Sequence, residues 1–128
     1  PGRINVGIGT FIPKPHTDFE REPMDSPESI RAKQKFLASR LRKKYIKYSF
    51  TPVETSMLES ALSRGDRRAG QVIHDAWLKG ARLDAWGEEF SFEIWDTSFH
   101  DNQIGIKNCA CRAFPAESRL PWSHIHLR

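Results

Sequence analysis

Ile4-Asn5-Val6-Gly7-Ile8-Gly9-Thr10-Phe11-Ile12, followed by Pro13-Lys14-Pro15-His16-Thr17, is the stretch that decides the fold. Ile4, Val6, Ile8 and Ile12 recur at even spacing, so an extended chain puts them on one face. Asn5, Gly7 and Gly9 share the other. Pro13 and Pro15 have no N–H to give a ladder, so the strand ends before them. No second convincing strand follows. A lone strand leaves its own N–H and C=O groups unsatisfied, so residues 4–12 are expected to pair outside the chain. The partner is either the rest of a larger sheet or the edge of a second copy. In barrels and open α/β sheets, ligands sit beyond the carboxyl ends of strands. Segment 12–17 is therefore the candidate site.

Beyond the prolines the signals turn helical. Ser26 suits an N-cap, Pro27 the first helical position and Glu28 the positive end of the helix dipole. Ile30, Leu37, Leu41 and Tyr45, with Phe36 flanking, make an apolar stripe at helical spacing. Thr51-Pro52-Val53-Glu54 has the spacing of a capping box. Val53, Met57, Leu58, Ala61 and Leu62 would be that helix's buried face, and Gly65 its stop. Asp66 is read as the cap of a third helix, with Ala69, Val72, Ile73, Ala76 and Trp77 inward and Gly80 at its end. A fourth lies within 91–100, capped by Ser91 and burying Phe92, Trp95 and Phe99. Residues 101–128 read as an irregular tail anchored by Trp122. The expected class is α+β and mostly helical: one N-terminal strand, about four helices and that tail.

Composition narrows the setting. The 128 residues are 38% apolar and 28% charged, with 8 Phe and 4 Trp, so a few large rings must carry the core. No apolar run approaches the ~20 residues of a membrane span. Two cysteines, Cys109 and Cys111, make neither a disulfide scaffold nor a cysteine-only metal site. A reducing, cytoplasmic setting is expected. Arg31, Lys33, Lys35, Arg40, Arg42, Lys43, Lys44 and Lys47 fall in a segment with no carboxylate. Against a formal charge of +4 for the chain, the remainder is net acidic. Such a stripe reads either as the solvated face of one helix or as a surface for RNA or another polyanion.

The run Phe11-Ile12-Pro13-Lys14-Pro15-His16-Thr17-Asp18-Phe19 resembles the F-x-P-K-P-H-T-x-F stretch of radical SAM Fe–S oxidoreductases, the type often carrying a cobalamin-binding-like N-terminal domain. Arg64-Gly65-Asp66-Arg67-Arg68 resembles that family's R-G-D-R-R element. Leu83-Asp84-Ala85-Trp86 through Trp95 and Phe99, and Leu120-Pro121-Trp122-Ser123-His124-Ile125, continue the likeness. The first block is also similar to the R-P-G-T segment of tRNA methylthiotransferases, where a late barrel strand runs into a loop and a helix. The resemblance implies that residues 1–50 are a late strand and helix of an incomplete radical SAM α/β barrel and residues 51–128 a helical appendix. It implies a [4Fe–4S] cluster and S-adenosylmethionine for the full-length protein, and the missing barrel as a partner. The C-x-x-x-C-x-x-C motif is absent here, and the cluster takes three thiolates. The expectation is a carboxyl-terminal fragment, not catalytic alone.

The candidate contacts to S-adenosylmethionine or substrate are Gly7, Gly9, Pro13, Lys14 and His16. The glycines allow close backbone approach, and Lys14 and His16 offer cations at a barrel rim. Pro13 and Pro15 equally read as stiffeners of an exit turn whose Lys14 and His16 are merely solvated. Arg67 and Arg68 read either as a phosphate site or as partners of Glu54 and Glu59 across the hairpin. Cys109-x-Cys111 and His124-x-His126 are spaced more tightly than zinc-finger ligands, and no metal site is expected.

Overall fold

The computed structural model of the chain describes residues 2–126. Its order is β1 (Ile4–Ile8), α1 (Pro27–Leu41), β2 (Ile46–Phe50), α2 (Val53–Arg64), α3 (Arg68–Leu78), α4 (Phe92–Asp101) and α5 (Ile106–Ala110). The class is α+β and mostly helical, as the periodicities imply.

One expectation fails at the start. β1 has a partner inside the chain: it runs parallel to β2, in register from Ile4↔Ile46 to Ile8↔Phe50. The ladder is extended at its start by Ile4 N–H to Tyr45 O at 2.9 Å and at its end by Thr51 N–H to Ile8 O at 3.0 Å. β2 hides in the sequence because the basic stripe runs into it. Ile46, Tyr48 and Phe50 alternate with Lys47 and Ser49, yet no Gly or Pro marks the boundary. The helix expected through Tyr45 stops at Leu41, and Tyr45 lies in the turn. Thr51, expected to cap α2, completes the ladder instead; the N-cap is Pro52, with no side-chain bond. β1 itself is shorter than residues 4–12, ending at Ile8.

Parallel register puts Val6, Ile8, Ile46, Tyr48 and Phe50 on one face and Asn5, Gly7, Lys47 and Ser49 on the other. The first face is half-buried, and α1 packs against β2. The second is exposed throughout. Among the described residues the sheet has two strands, so both outer edges stay open.

Of the expected side-chain caps only Ser26 both stands at an N-cap and forms its bond: the N-cap of α3 is Arg67 rather than Asp66, and Ser91 stands at the N-cap of α4 without a side-chain bond. Ser26 Oγ accepts from Ser29 N–H at 3.2 Å, and Gly80 takes the left-handed conformation at φ +104° after α3. Gly65 follows α2 for a different reason than expected. Its φ is −70°, open to any residue, but a Cβ there would meet Ala61 O at 2.8 Å and Ala69 Cβ at 3.2 Å. Close approach, not backbone hand, requires glycine.

The core joins Met24 and Ile30 to Val53, Met57, Leu58, Ala61, Val72, Ala76, Trp95 and Phe99. α2 and α5 sit tightly together because Ser56, Ser60, Ala61 and Ala110 are small and fully buried. Ser60 Oγ donates to Ala110 O across that contact at 3.0 Å. α5 itself was expected to be irregular; five residues are too few to show a period. α3 buries Val72 and Ala76 against α4, but Ile73 and Trp77, expected inward, are 48% and 52% exposed. α4 covers one side of α3 only, and Arg82 stacks on the outer Trp77 ring at 4.7 Å. Phe114, Leu120 and Trp122 make a second small cluster.

Candidate functional site

The loop from Gly9 to Glu22 leaves the carboxyl end of β1 and is fixed by residues far along the chain. The central one is Arg64, the last residue of α2, only 2% exposed. Arginine is almost never buried this far unless its donors are met. Here its Nη1 donates to Glu20 O at 3.1 Å and, more weakly, to Pro13 O at 3.5 Å, and its Nη2 to Arg112 O at 2.7 Å. Its guanidinium stacks on Phe114 at 5.2 Å from the ring centroid. One side chain thus ties the exit loop to the carboxyl-terminal segment.

Further bonds complete the tie. Arg21 donates to Pro115 O at 2.5 Å, and Phe114 N–H donates to Arg21 O at 2.9 Å. Glu20 Oε2 accepts from Trp122 Nε1 at 2.7 Å and from His16 N–H at 2.9 Å. The Trp122 indole, and then the His16 amide, hold the Glu20 carboxyl below its ordinary range.

The five candidate residues separate on this frame. Pro13 is buried, and its carbonyl faces Arg64. Lys14 turns back to α2 and pairs with Glu59 at 2.6 Å, both half-exposed. His16 is exposed and sits at φ 60°, a left-handed conformation that its amide bond to Glu20 supports. A Cβ on Gly7 would meet nothing within 4 Å, and one on Gly9 would meet only Thr51 Oγ1 at 3.9 Å. Packing within this chain does not require either glycine. Gly7 and His16 face open space, while Pro13 and Lys14 are engaged inside the chain.

A shallow cleft of about 190 Å³ lies at the carboxyl end of β1, between Gly9, Thr10 and Phe11 and the α1 residues Ile30, Gln34 and Leu37. Lys33 and Asp25 form an ion pair at its edge. A larger cleft, about 620 Å³, opens on the other side of Arg64, against α5.

The arginine turn departs from one of the two readings made of it, the pairing with Glu54 and Glu59. Arg68 pairs with Asp66, Nη2 to Oδ2 at 2.7 Å, and Asp66 Oδ1 also accepts from Arg68 N–H at 3.0 Å. Glu54 and Glu59 are taken by Arg31 and Lys14. Arg64 is the residue that matters, and its signal was present: Met57, Ala61 and Arg64 continue one helical stripe, with a cation where an apolar residue is due. Cys109 and Cys111 are free thiols, and burial pushes both above the ordinary thiol range. Among the described residues, no group of three or more His, Cys, Asp or Glu is placed to hold a metal ion. No helix among them is long and apolar enough to cross a membrane.

No family model matches the chain, and no solved structure matches it. Over 71 residues, 56% of its length, it is 30% identical to the uncharacterized protein MJ0966 of Methanocaldococcus jannaschii. The match covers 16% of that protein, so this chain spans a small part of the curated relative it resembles.

Proposed function

We propose that this chain supplies two late strands, their connecting helix and a helical appendix to a radical SAM Fe–S oxidoreductase. One observation carries the reading. β1 and β2 are parallel, joined through α1, open on both edges and bare on the face opposite the helix. A parallel pair is stable chiefly inside a sheet covered on both sides, and a barrel wall has helices on its outer face while the other strands' side chains cover its inner one. On this reading Asn5, Gly7, Lys47 and Ser49 line the barrel interior. The exit loop, with Gly9 and His16, lies at its functional rim, and Pro13 and Lys14 brace that loop from beneath.

The residues present do not fit the cluster that the resemblance implies. Cys109 and Cys111 are two thiols, and three are needed. The cluster's ligands therefore belong to another part of the protein, as does the chemistry of S-adenosylmethionine cleavage. What this chain contributes is wall, rim and support. Its two free thiols accord with a reducing cytoplasmic compartment.

The test uses the full-length gene product. Its sequence before residue 1 should contain C-x-x-x-C-x-x-C. Anaerobic reconstitution with iron and sulfide should give a protein that, once reduced, cleaves S-adenosylmethionine to methionine and 5′-deoxyadenosine. An upstream sequence without the three cysteines, or a reconstituted protein that retains no iron, would remove the reading.

A further inference from the structure

The 620 Å³ cleft beside Arg64 has a cationic wall: Arg64, Arg68, Lys107 and Arg112 line it, against the single carboxylate of Asp66. Two of these charges are answered. Arg68 is paired with Asp66, and Lys107 with Glu28 at 3.2 Å. The other two form no ion pair among the described residues, although Arg112 lies in the field of Asp66. Arg64 bonds only to neutral carbonyl oxygens, its Nε is buried without a partner, and no carboxylate among the described residues forms an ion pair with it. Carbonyl dipoles offset only part of what a buried cation loses in leaving water. Arg112 is exposed and likewise has no ion pair among the described residues. Both guanidinium carbons lie within 5.2 Å of the same Phe114 centroid. Two positive charges thus share one ring on one wall, and an anion between or beside them would relieve their repulsion.

We propose that this cleft binds an oxyanion, the phosphate of a small phosphorylated molecule. Arg112 and Arg68 contact the phosphate oxygens through planar donors suited to them. Arg64 acts from behind as a buried positive charge. Asn108 adds an amide on the same wall, and Ile104 and Pro121 give the organic part of the ligand an apolar surface. The proposal does not depend on the barrel reading.

The test is a titration of the chain with inorganic phosphate, followed by amide correlation spectra at constant ionic strength with chloride as control. The largest shifts are expected at Gly105, Asn108 and Arg112, with none of comparable size in chloride. Arg112→Gln, an exposed change that leaves the backbone acceptor of Arg64 in place, should weaken phosphate binding about tenfold, the loss of one charge-assisted bond. Shifts equal in chloride, shifts centred on the basic segment 40–47, or unchanged affinity in the variant would overturn the proposal.

Discussion

Replacing Arg64 by alanine removes the knot between the exit loop and the carboxyl-terminal segment. Three carbonyls lose their donor: those of Arg112 at 2.7 Å, Glu20 at 3.1 Å and, weakly, Pro13 at 3.5 Å. Hydrogen bonds from a charged donor are worth roughly 1.5–3 kcal/mol each. The two short ones alone give about 3–6 kcal/mol, to which the lost stacking on Phe114 adds. Removing the buried cation also removes its desolvation cost, which offsets part of that sum. The net expectation is a loss of about 3 kcal/mol. With a urea slope of about 1.5 kcal/mol/M for a chain of this size, the unfolding midpoint should fall by about 2 M at unchanged slope. Arg64→Lys should recover less than half of the loss, because one ammonium cannot reach carbonyls on three sides. Limited proteolysis of the alanine variant should cut first within residues 12–22. A loss below about 1 kcal/mol, or cleavage elsewhere first, would refute the role assigned to Arg64.

The two glycine types should answer oppositely to alanine. Gly65→Ala pushes a methyl against Ala61 O and should cost about 1–3 kcal/mol, whereas Gly7→Ala enters open space in a strand and should stay within about 0.5 kcal/mol, both read by thermal unfolding. Glu20 has a folded pKa below its ordinary value of 4.5, so its contribution is complete above that pH and is lost as pH falls through the lowered folded value. The wild type should therefore lose stability more steeply on acidification than Glu20→Gln, and parallel profiles would contradict the Trp122–Glu20 bond. Changing Arg42, Lys43 and Lys44 together to Gln should leave the fold and thermal midpoint intact and alter only weak, salt-sensitive attraction to RNA. Sub-micromolar RNA binding at physiological salt, abolished by that change, would make the basic segment a functional surface.

What was legible in the sequence follows from the length over which a pattern can repeat. The start of α1 at Ser26-Pro27-Glu28, the buried faces of α2 and α4, the Gly80 stop and the Trp122 anchor all rest on several residues acting together. β2 and α5 are five residues each, too short for a period to separate from its surroundings. β2 was further masked by seven cations from Arg31 to Lys44 that favour a helix. At the candidate site, the loop's position after β1 was readable, because prolines punctuate locally. The burial of Arg64 was signalled by its place on the Met57–Ala61 stripe, but its partners, like the engagement of Lys14 with Glu59, were not readable, since they depend on which helix face turns toward a loop some 50 residues earlier, a tertiary fact.

The bond between Trp122 and Glu20 joins residues 102 positions apart, and this bears on the order in which the chain is made. Synthesis delivers β1, and α1 with β2 can close the ladder soon afterwards, since its partners are some 40 residues apart. The loop beyond β1 has to wait. Its anchors are Arg64, then Phe114 and Pro115, and last Trp122, made 102 residues after Glu20. Domains assemble as their parts leave the ribosome, so here the loop after β1 takes its shape from a segment made about 100 residues later. A polypeptide that stops short of Trp122 would carry every residue of the Pro13–Thr17 run and yet leave it unset. The exit loop is thereby set only in molecules whose translation has run on past Trp122.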